Sequence, residues 1–382
     1  MIPKMLNDAL FYLNEHFPHF TDDLFECLKI PSISTLPDSL SDINNCAQHV
    51  INHMRDIGLN NIQQFDAYGH PIVYADFHVD AAKPTLLFYG HYDVQPVDPL
   101  DLWESGPFEP EVRDGYIFAR GASDNKGMFY AQLKAVESYL KSTQTLPVNV
   151  KFIIEGEEEV GSHGLTAFIN DHKDMLQYDA LLVSDSPMFS ESQPSICTSL
   201  RGLVYVQCHV KAMNFDVHSG QLGGSVPNVI HYLSQCIASM KDPKTNRVKI
   251  PGFYDDVCSS SSFDSTTKMA SDHVSSLDDF YGLGDHANAS FYDNIWHFPT
   301  LDCNGIQSGF VSDGAKTVVP CEAMAKLSCR LVSNQDPVKI STLVRDYILS
   351  YFPSSFQVEV EPLGPYAKPL IVDPNDPYIQ SA

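Results

Sequence analysis

The chain has 382 residues, with 24 Lys and Arg against 48 Asp and Glu and a net charge of −24. That length favours two domains over one core. The charge argues against nucleic acid or an anionic membrane as a partner, since both demand a basic surface.

Residues 1–30 read as one or two helices. The first seventeen are interrupted by Asn7, Asp8, Asn14, Glu15 and His16, which suits an amphipathic helix and not a signal peptide. No apolar run approaches the roughly 20 residues that a membrane-spanning helix needs. From Ser39, apolar residues recur at Leu40, Ile43, Ala47, Val50, Met54 and Ile57, and Gly58 follows, so a helix with a glycine stop is expected. Ile72–Phe77 alternates like a strand. Thr85–Tyr89, Val148–Ile154 and Ala180–Val183 are short apolar runs of the kind buried in a parallel sheet. The segment 103–116 reads as loop, and 126–142 as a helix with Phe129, Leu133, Val136 and Leu140 on one face.

After Asp185 the pattern changes. A strand at 203–210, a helix at 226–240, a strand at 322–332, a helix at 338–351 and a strand at 356–360 suggest a smaller α+β domain. The stretch 242–299 is polar, with Ser259–Ser262 in a row, and reads as an irregular excursion. The nine cysteines (27, 46, 197, 208, 236, 258, 303, 321 and 329) are odd in number and include no Cys-x-x-Cys pair. A reducing cytoplasm fits that usage, with Cys208 and Cys329 as core thiols.

Three clusters carry candidate chemistry: Gly90-His91-Tyr92-Asp93, Gly121 to Gly127, and Glu155-Gly156-Glu157-Glu158-Glu159. The first and third follow strand-like runs, and a further such run ends at Asp185. In open α/β sheets ligands sit beyond the carboxyl ends of strands, so imidazole and carboxylates there suggest a metal site. Asp93, two residues from His91, can accept its second ring N–H and fix the tautomer. Neighbouring carboxylates at 157–159 repel one another unless a cation compensates them. One can then bind metal while its neighbour moves a proton. Taken singly, each feature has a plainer reading: His91 as a buried hydrogen-bonded histidine, Asp124 as a helix cap, and the glutamate run as a solvated surface. It is their placement on one expected edge that points to a metal.

At these residues the chain resembles the cocatalytic metallopeptidases that include carnosinase, cytosolic non-specific dipeptidase, succinyl-diaminopimelate desuccinylase, acetylornithine deacetylase and carboxypeptidase G. The similarity runs through Tyr89–Pro96, Arg120–Gly127, Glu155–Ser162, Val183–Asp185, Asp216–Gly220, Gly314–Pro320 and Leu327–Val332, in the family's order, and the dipeptidase and carnosinase branch matches best.

The resemblance implies an α/β fold: a mostly parallel-sheet catalytic domain over 1–199, an inserted ferredoxin-like lid domain over 200–362, and a return to the catalytic domain over 363–382. It implies that His91, Asp124 and Asp185 hold one divalent ion, that Asp124 bridges to a second, and that Glu159 binds the second. Zinc is the first choice for both ions, with manganese or cobalt as alternatives. It makes Glu158 the general base, Asp93 the residue that orients His91, His218 the group that polarises the scissile carbonyl, and Arg330 the clamp on the substrate's carboxylate. It implies a cis peptide at Asp124–Asn125. Without it, His218 reads as a surface histidine and Arg330 as a strand-edge ion pair. The loop with Lys316 and Thr317 matches as well, but the sequence assigns it no chemistry.

Asp at position 185 favours a dipeptidase, since the family's carboxypeptidases and deacylases tend to carry Glu there. The expected partners are a small peptide substrate and a second copy docked through the lid domain, in the cytoplasm. An N-acyl amino acid deacylase of acetylornithine or succinyl-diaminopimelate type is the alternative. The resemblance also predicts a closing segment with a late histidine ligand. No histidine follows His297, so the chain reads as lacking the last part of the catalytic domain, and an inactive fragment is a further alternative.

Overall fold

The computed structural model describes residues 2–189, 194–257, 281–282 and 291–382; the Ser259–Ser262 run lies outside them. Two compact units, Met1–Met188 and Phe189–Ala382, make up the chain.

The first unit opens with α1 (Ile2–Leu28), a single helix with Pro18 inside it, and α2 (Leu40–Ile57), which ends at Gly58. Then come β1 (Asn60–Phe65), β2 (Ile72–Phe77) and β3 (Thr85–His91). A small hairpin, β4 (Glu111–Arg113) and β5 (Tyr116–Phe118), precedes α3 (Lys126–Thr143). The unit closes with β6 (Asn149–Glu155), α4 (Leu165–Asp171) and β7 (Ala180–Val183). Its five-stranded sheet has the order β1-β2-β6-β3-β7. Strands β3, β6 and β7 run parallel, while β1 and β2 are antiparallel.

One face of this sheet packs against α1, α2 and α3 through Ile43, Val50, Met54, Phe129, Leu133, Phe152 and their neighbours. The other face is covered by Phe168 and Leu176. Burying each large apolar side chain contributes about 1.5–3 kcal/mol. The expectation that all three apolar runs are buried on both faces holds for β6 but not for β7. The latter is an edge strand, with Leu181 and Val183 about half exposed. The parallel register sets His91 beside Glu155, and so brings two of the sequence clusters to one end of the sheet.

The second unit holds β8 (Ser199–Leu200), β9 (Gly202–Lys211), β10 (Val217–His218), α5 (Ser219–Leu222) and α6 (Val229–Ser239). It continues with α7 (Phe291–Trp296), β11 (Asp302–Ser308), β12 (Val318–Val319), β13 (Glu322–Leu331), α8 (Pro337–Tyr351), β14 (Gln357–Pro362), β15 (Leu370–Ile371) and α9 (Pro377–Ser381). An antiparallel sheet of order β11-β13-β9-β14 carries α6 and α8 on one face, over Val204, Val206, Cys208, Ala325, Leu327 and Cys329. Alternation of buried and exposed residues along β9 and β13 explains why one face is covered. Near the end of the chain, β15 pairs with β8 and Ala367 pairs with Leu203.

Candidate metal centre

His91 ends β3 and is fully buried. The preceding residue has to be glycine: a Cβ at Gly90 would lie 2.6 Å from Phe129 Cβ and 3.0 Å from Asn125 Oδ1. That close approach sets the first turn of α3 directly against the end of β3. The His91 ring is then held from one side. Its Nδ1 lies 3.1 Å from the Asp93 carbonyl oxygen and 3.3 Å from Asp93 Oδ1, so Nδ1 carries the proton.

The other ring nitrogen, Nε2, faces Asp124 Oδ1 at 3.2 Å and Asp185 Oδ1 at 3.7 Å. Neither oxygen is aligned as a hydrogen-bond partner, so Nε2 is a buried polar atom with none. Such an orphan is costly in a folded chain. Two atoms that share one tetrahedral ion at about 2.1 Å stand about 3.4 Å apart, and the two distances bracket that value. The three ligand atoms lie within 4.8 Å of one another. One imidazole and two carboxylates are a donor set suited to a divalent cation, and the residues present fit one.

The electrostatics agree. Burial works against a charged His91, but the carboxylates of Asp185 and Asp93 outweigh it and push the ring up to about 11. The facing His91 ring and the bond from Asn125 hold Asp185 below the usual carboxylate range, against its burial. A pocket that stabilises positive charge this strongly also attracts a cation.

Asp93 does more than orient the ring. It is fully buried, its Oδ1 accepts the Glu158 N–H at 3.2 Å, and its Oδ2 accepts the Glu159 N–H at 3.1 Å. One carboxylate therefore fixes His91 and the turn Glu158–Val160 together. Within that turn the acidic residues separate. Buried Glu155 accepts from Tyr89 Oη at 2.6 Å and Ser162 Oγ at 2.8 Å, and Glu157 accepts from the Gly164 N–H at 3.3 Å. Glu159 Oε2 accepts from Gln95 Nε2 at 2.7 Å, and burial leaves its carboxyl raised despite that bond. Among the described residues no such donor reaches Glu158. Burial, with Asp185, Glu159 and Asp93 against the opposing pull of His91, raises it to about 7. That is the range in which a carboxylate both takes and gives a proton near neutrality.

Asp124 precedes α3 but does not cap it: Asn125 is the capping residue, and no side-chain cap bond is made. The Asp124 side chain is 63% exposed, and the Asp124–Asn125 peptide is cis. Asn125 is a site residue that the sequence reading missed. Its Oδ1 accepts the His91 N–H at 3.3 Å, and its Nδ2 donates to the Ser184 carbonyl at 2.6 Å and to Asp185 Oδ1 at 2.9 Å. It joins the ends of β3 and β7 and orients two of the three residues that could hold an ion. The signal for it was its place between Asp124 and Lys126; Lys126 is itself buried, its Nζ bound to the carbonyls of Cys27 and Ile30.

His91, Asp93, Asp124, Glu158, Glu159 and Asp185 all belong to the first unit. Glu159 is outside the three-residue ligand group. His218 and Arg330 belong to the second unit. His218 ends β10, exposed, with Nδ1 3.0 Å from the Gly220 nitrogen and Nε2 3.0 Å from Thr317 Oγ1. Arg330 is exposed on β13, opposite Leu203 of β9. The guanidinium of Arg201, just before β9, is pushed below the usual arginine range by burial and by the charge of Arg330.

Among the described residues no helix is long and apolar enough to cross a membrane. Residues 87–382 match the family model described as peptidase family M20/M25/M40. A Beta-Ala-His dipeptidase of Rattus norvegicus is 30% identical over 363 residues, covering 89% of this chain and 73% of the relative. A Cys-Gly metallodipeptidase, dug1, of Schizosaccharomyces pombe is 29% identical over 372 residues, covering 92% of this chain and 77% of the relative. The solved structure of the dipeptidase Dug1p from Saccharomyces cerevisiae superposes with a TM-score of 0.82 at 25% identity, covering 98% of this chain and 82% of that one.

Proposed function

This chain belongs to peptidase family M20/M25/M40, and from that premise we propose that its metal centre hydrolyses the peptide bond of dipeptides. The observation that carries this reading is the buried, unpartnered His91 Nε2 facing the carboxylates of Asp124 and Asp185. The dipeptidase names of the relatives support the substrate class.

A divalent ion, when bound, supplies a Lewis acid that acidifies water and polarises a carbonyl. His91, Asp124 and Asp185 would hold it, and zinc suits that donor set first, with manganese or cobalt as alternatives. A second ion would use Asp124 as a bridge and Glu159 as a ligand. Glu158 takes the proton from the attacking water and returns it to the leaving amine. Asp93 keeps the His91 ring in the tautomer that leaves Nε2 free. His218 donates a hydrogen bond to the oxygen on which negative charge develops. Arg330 clamps the terminal carboxylate, a task suited to a planar guanidinium.

In the same reading residues 1–199 form the catalytic part, 200–362 a lid through which two copies pair, and 363–382 a return to the catalytic part. The cytoplasm is the proposed location, supported by eight free cysteines among the described residues.

Two measurements test the proposal. Glu158→Gln should keep the metal content and lose about 10²–10⁴-fold in turnover; an unchanged rate refutes the base assignment. Dipeptides should be cleaved and N-acetyl and N-succinyl amino acids spared, and the reverse pattern makes the chain a deacylase.

A further inference from the structure

The segment Asp216–Gly220 and the loop leading to Cys321 form a small antiparallel ladder. Val217 pairs with Val319 and His218 with Val318. Asp216 Oδ1 accepts the Cys321 N–H at 2.9 Å at one end, and the Ser219 N–H reaches the Thr317 carbonyl at 3.0 Å at the other. Thr317 is thus placed by backbone bonds that its own side chain does not make.

The His218 ring is exposed, so packing does not orient it, and its two hydrogen bonds must. A backbone N–H can only donate, and the one at Gly220 points at Nδ1 from 3.0 Å. Nδ1 is therefore the ring's lone-pair nitrogen, and the ring proton sits on Nε2 and donates to Thr317 Oγ1 at 3.0 Å. Glycine at position 220 favours this contact. A Cβ there would lie 3.0 Å from His218 Cε1 and 3.2 Å from Nδ1, and would push the ring off the N–H.

We propose that Gly220 and Thr317 are positioning residues that hold His218 in the tautomer protonated on Nε2, with that N–H parked on Thr317 Oγ1 until a substrate oxygen takes its place. The Asp216–Gly220 motif and the Thr317 loop then form one device, a preset hydrogen-bond donor. The role of this donor in turnover rests on the proposed function; the tautomer does not.

The test uses the full chain with histidines labelled with ¹⁵N, the His218 signals being those lost in His218→Gln. Long-range proton–nitrogen spectra should show the proton on Nε2 in the wild type and a mixture of tautomers in Gly220→Ala. A proton on Nδ1, or a mixture in the wild type, overturns the proposal. In dipeptide assays Thr317→Val should lower kcat by tenfold or more with KM within twofold, and Thr317→Ser should restore it. Wild-type kcat in Thr317→Val overturns the positioning role. His218→Ala judges the other reading separately: unchanged turnover there removes His218 from the reaction, while the spectra still decide the tautomer.

Discussion

Two clusters in the first unit have the same ingredients and opposite electrostatics. His91, Asp124 and Asp185 form one, and Asp23, His53 and Glu137 the other; in each, the ligand atoms lie within 4.8 Å of one another. In the second, the ammonium of buried Lys134 contacts Asp23 and lies 2.8 Å from Glu137, stacked over Phe20 at 4.6 Å. Burial first, and then Lys134, push His53 down to about 3, whereas His91 is pushed up to about 11. The comparison teaches that a histidine and two acids do not by themselves make a metal site. What separates the two clusters is whether the chain supplies its own cation.

The largest effect that tests this contrast is on Lys134. Lys134→Met leaves two carboxylates without their partner and should cost about 3–5 kcal/mol, read as a lower urea midpoint with an unchanged slope. Adding Glu137→Leu should recover part of the loss, because removing both members of a buried pair costs less than removing one. If the single variant is as stable as the wild type, Lys134 is not the internal cation.

Next comes Asn125. It makes no ligand bond itself but orients His91 and Asp185, so Asn125→Ala should weaken divalent-ion binding by about 10–100-fold. Isothermal titration of the metal-free chain measures this, and an unchanged affinity would remove Asn125 from the site.

The last effect, read as a slope and not as a single loss, is on pH dependence. His53 has a folded value near 3 against 6.5 for the free side chain. Between those values the unfolded chain binds a proton that the folded chain refuses. Stability therefore falls as pH falls through this window, by at most about 1.4 kcal/mol per unit. Lys134, Asp23, His49 and His19 all face the same ring and act on it. Denaturation midpoints from pH 6.5 to 3 should drop less steeply for His53→Gln than for the wild type.

Much of the fold was legible where residues of one type run together. The strands β3, β6 and β7, and the helices α2 and α3, follow from apolar period and length. Others were not. β1 (Asn-Asn-Ile-Gln-Gln-Phe) and β11 (Asp-Cys-Asn-Gly-Ile-Gln-Ser) are edge strands with largely exposed residues, so no apolar alternation marks them. The hairpin β4–β5 lies in a stretch whose prolines and glycines suggest loop, although Asp114 and Gly115, both at positive φ, are a strong turn signal. The grouping of His91, Asp124 and Asp185 was legible from their places at two strand ends and a helix start. Asn125 and Gln95 were not, because their roles depend on partners 60 and 64 residues away in sequence. The excess acidity of the 155–159 run was legible, but its division among Tyr89, Ser162, Gly164 and Gln95 was not.

The Asp93 carboxylate, shared between the His91 ring and the amides of Glu158 and Glu159, has a consequence for anyone redesigning this enzyme. The ring angle and the placement of Glu158 and Glu159 cannot be tuned independently, since lengthening Asp93 by one methylene shifts both. Variation in specificity should therefore accumulate elsewhere, and laboratory evolution that enters this triangle should meet paired, compensating changes instead of single gains.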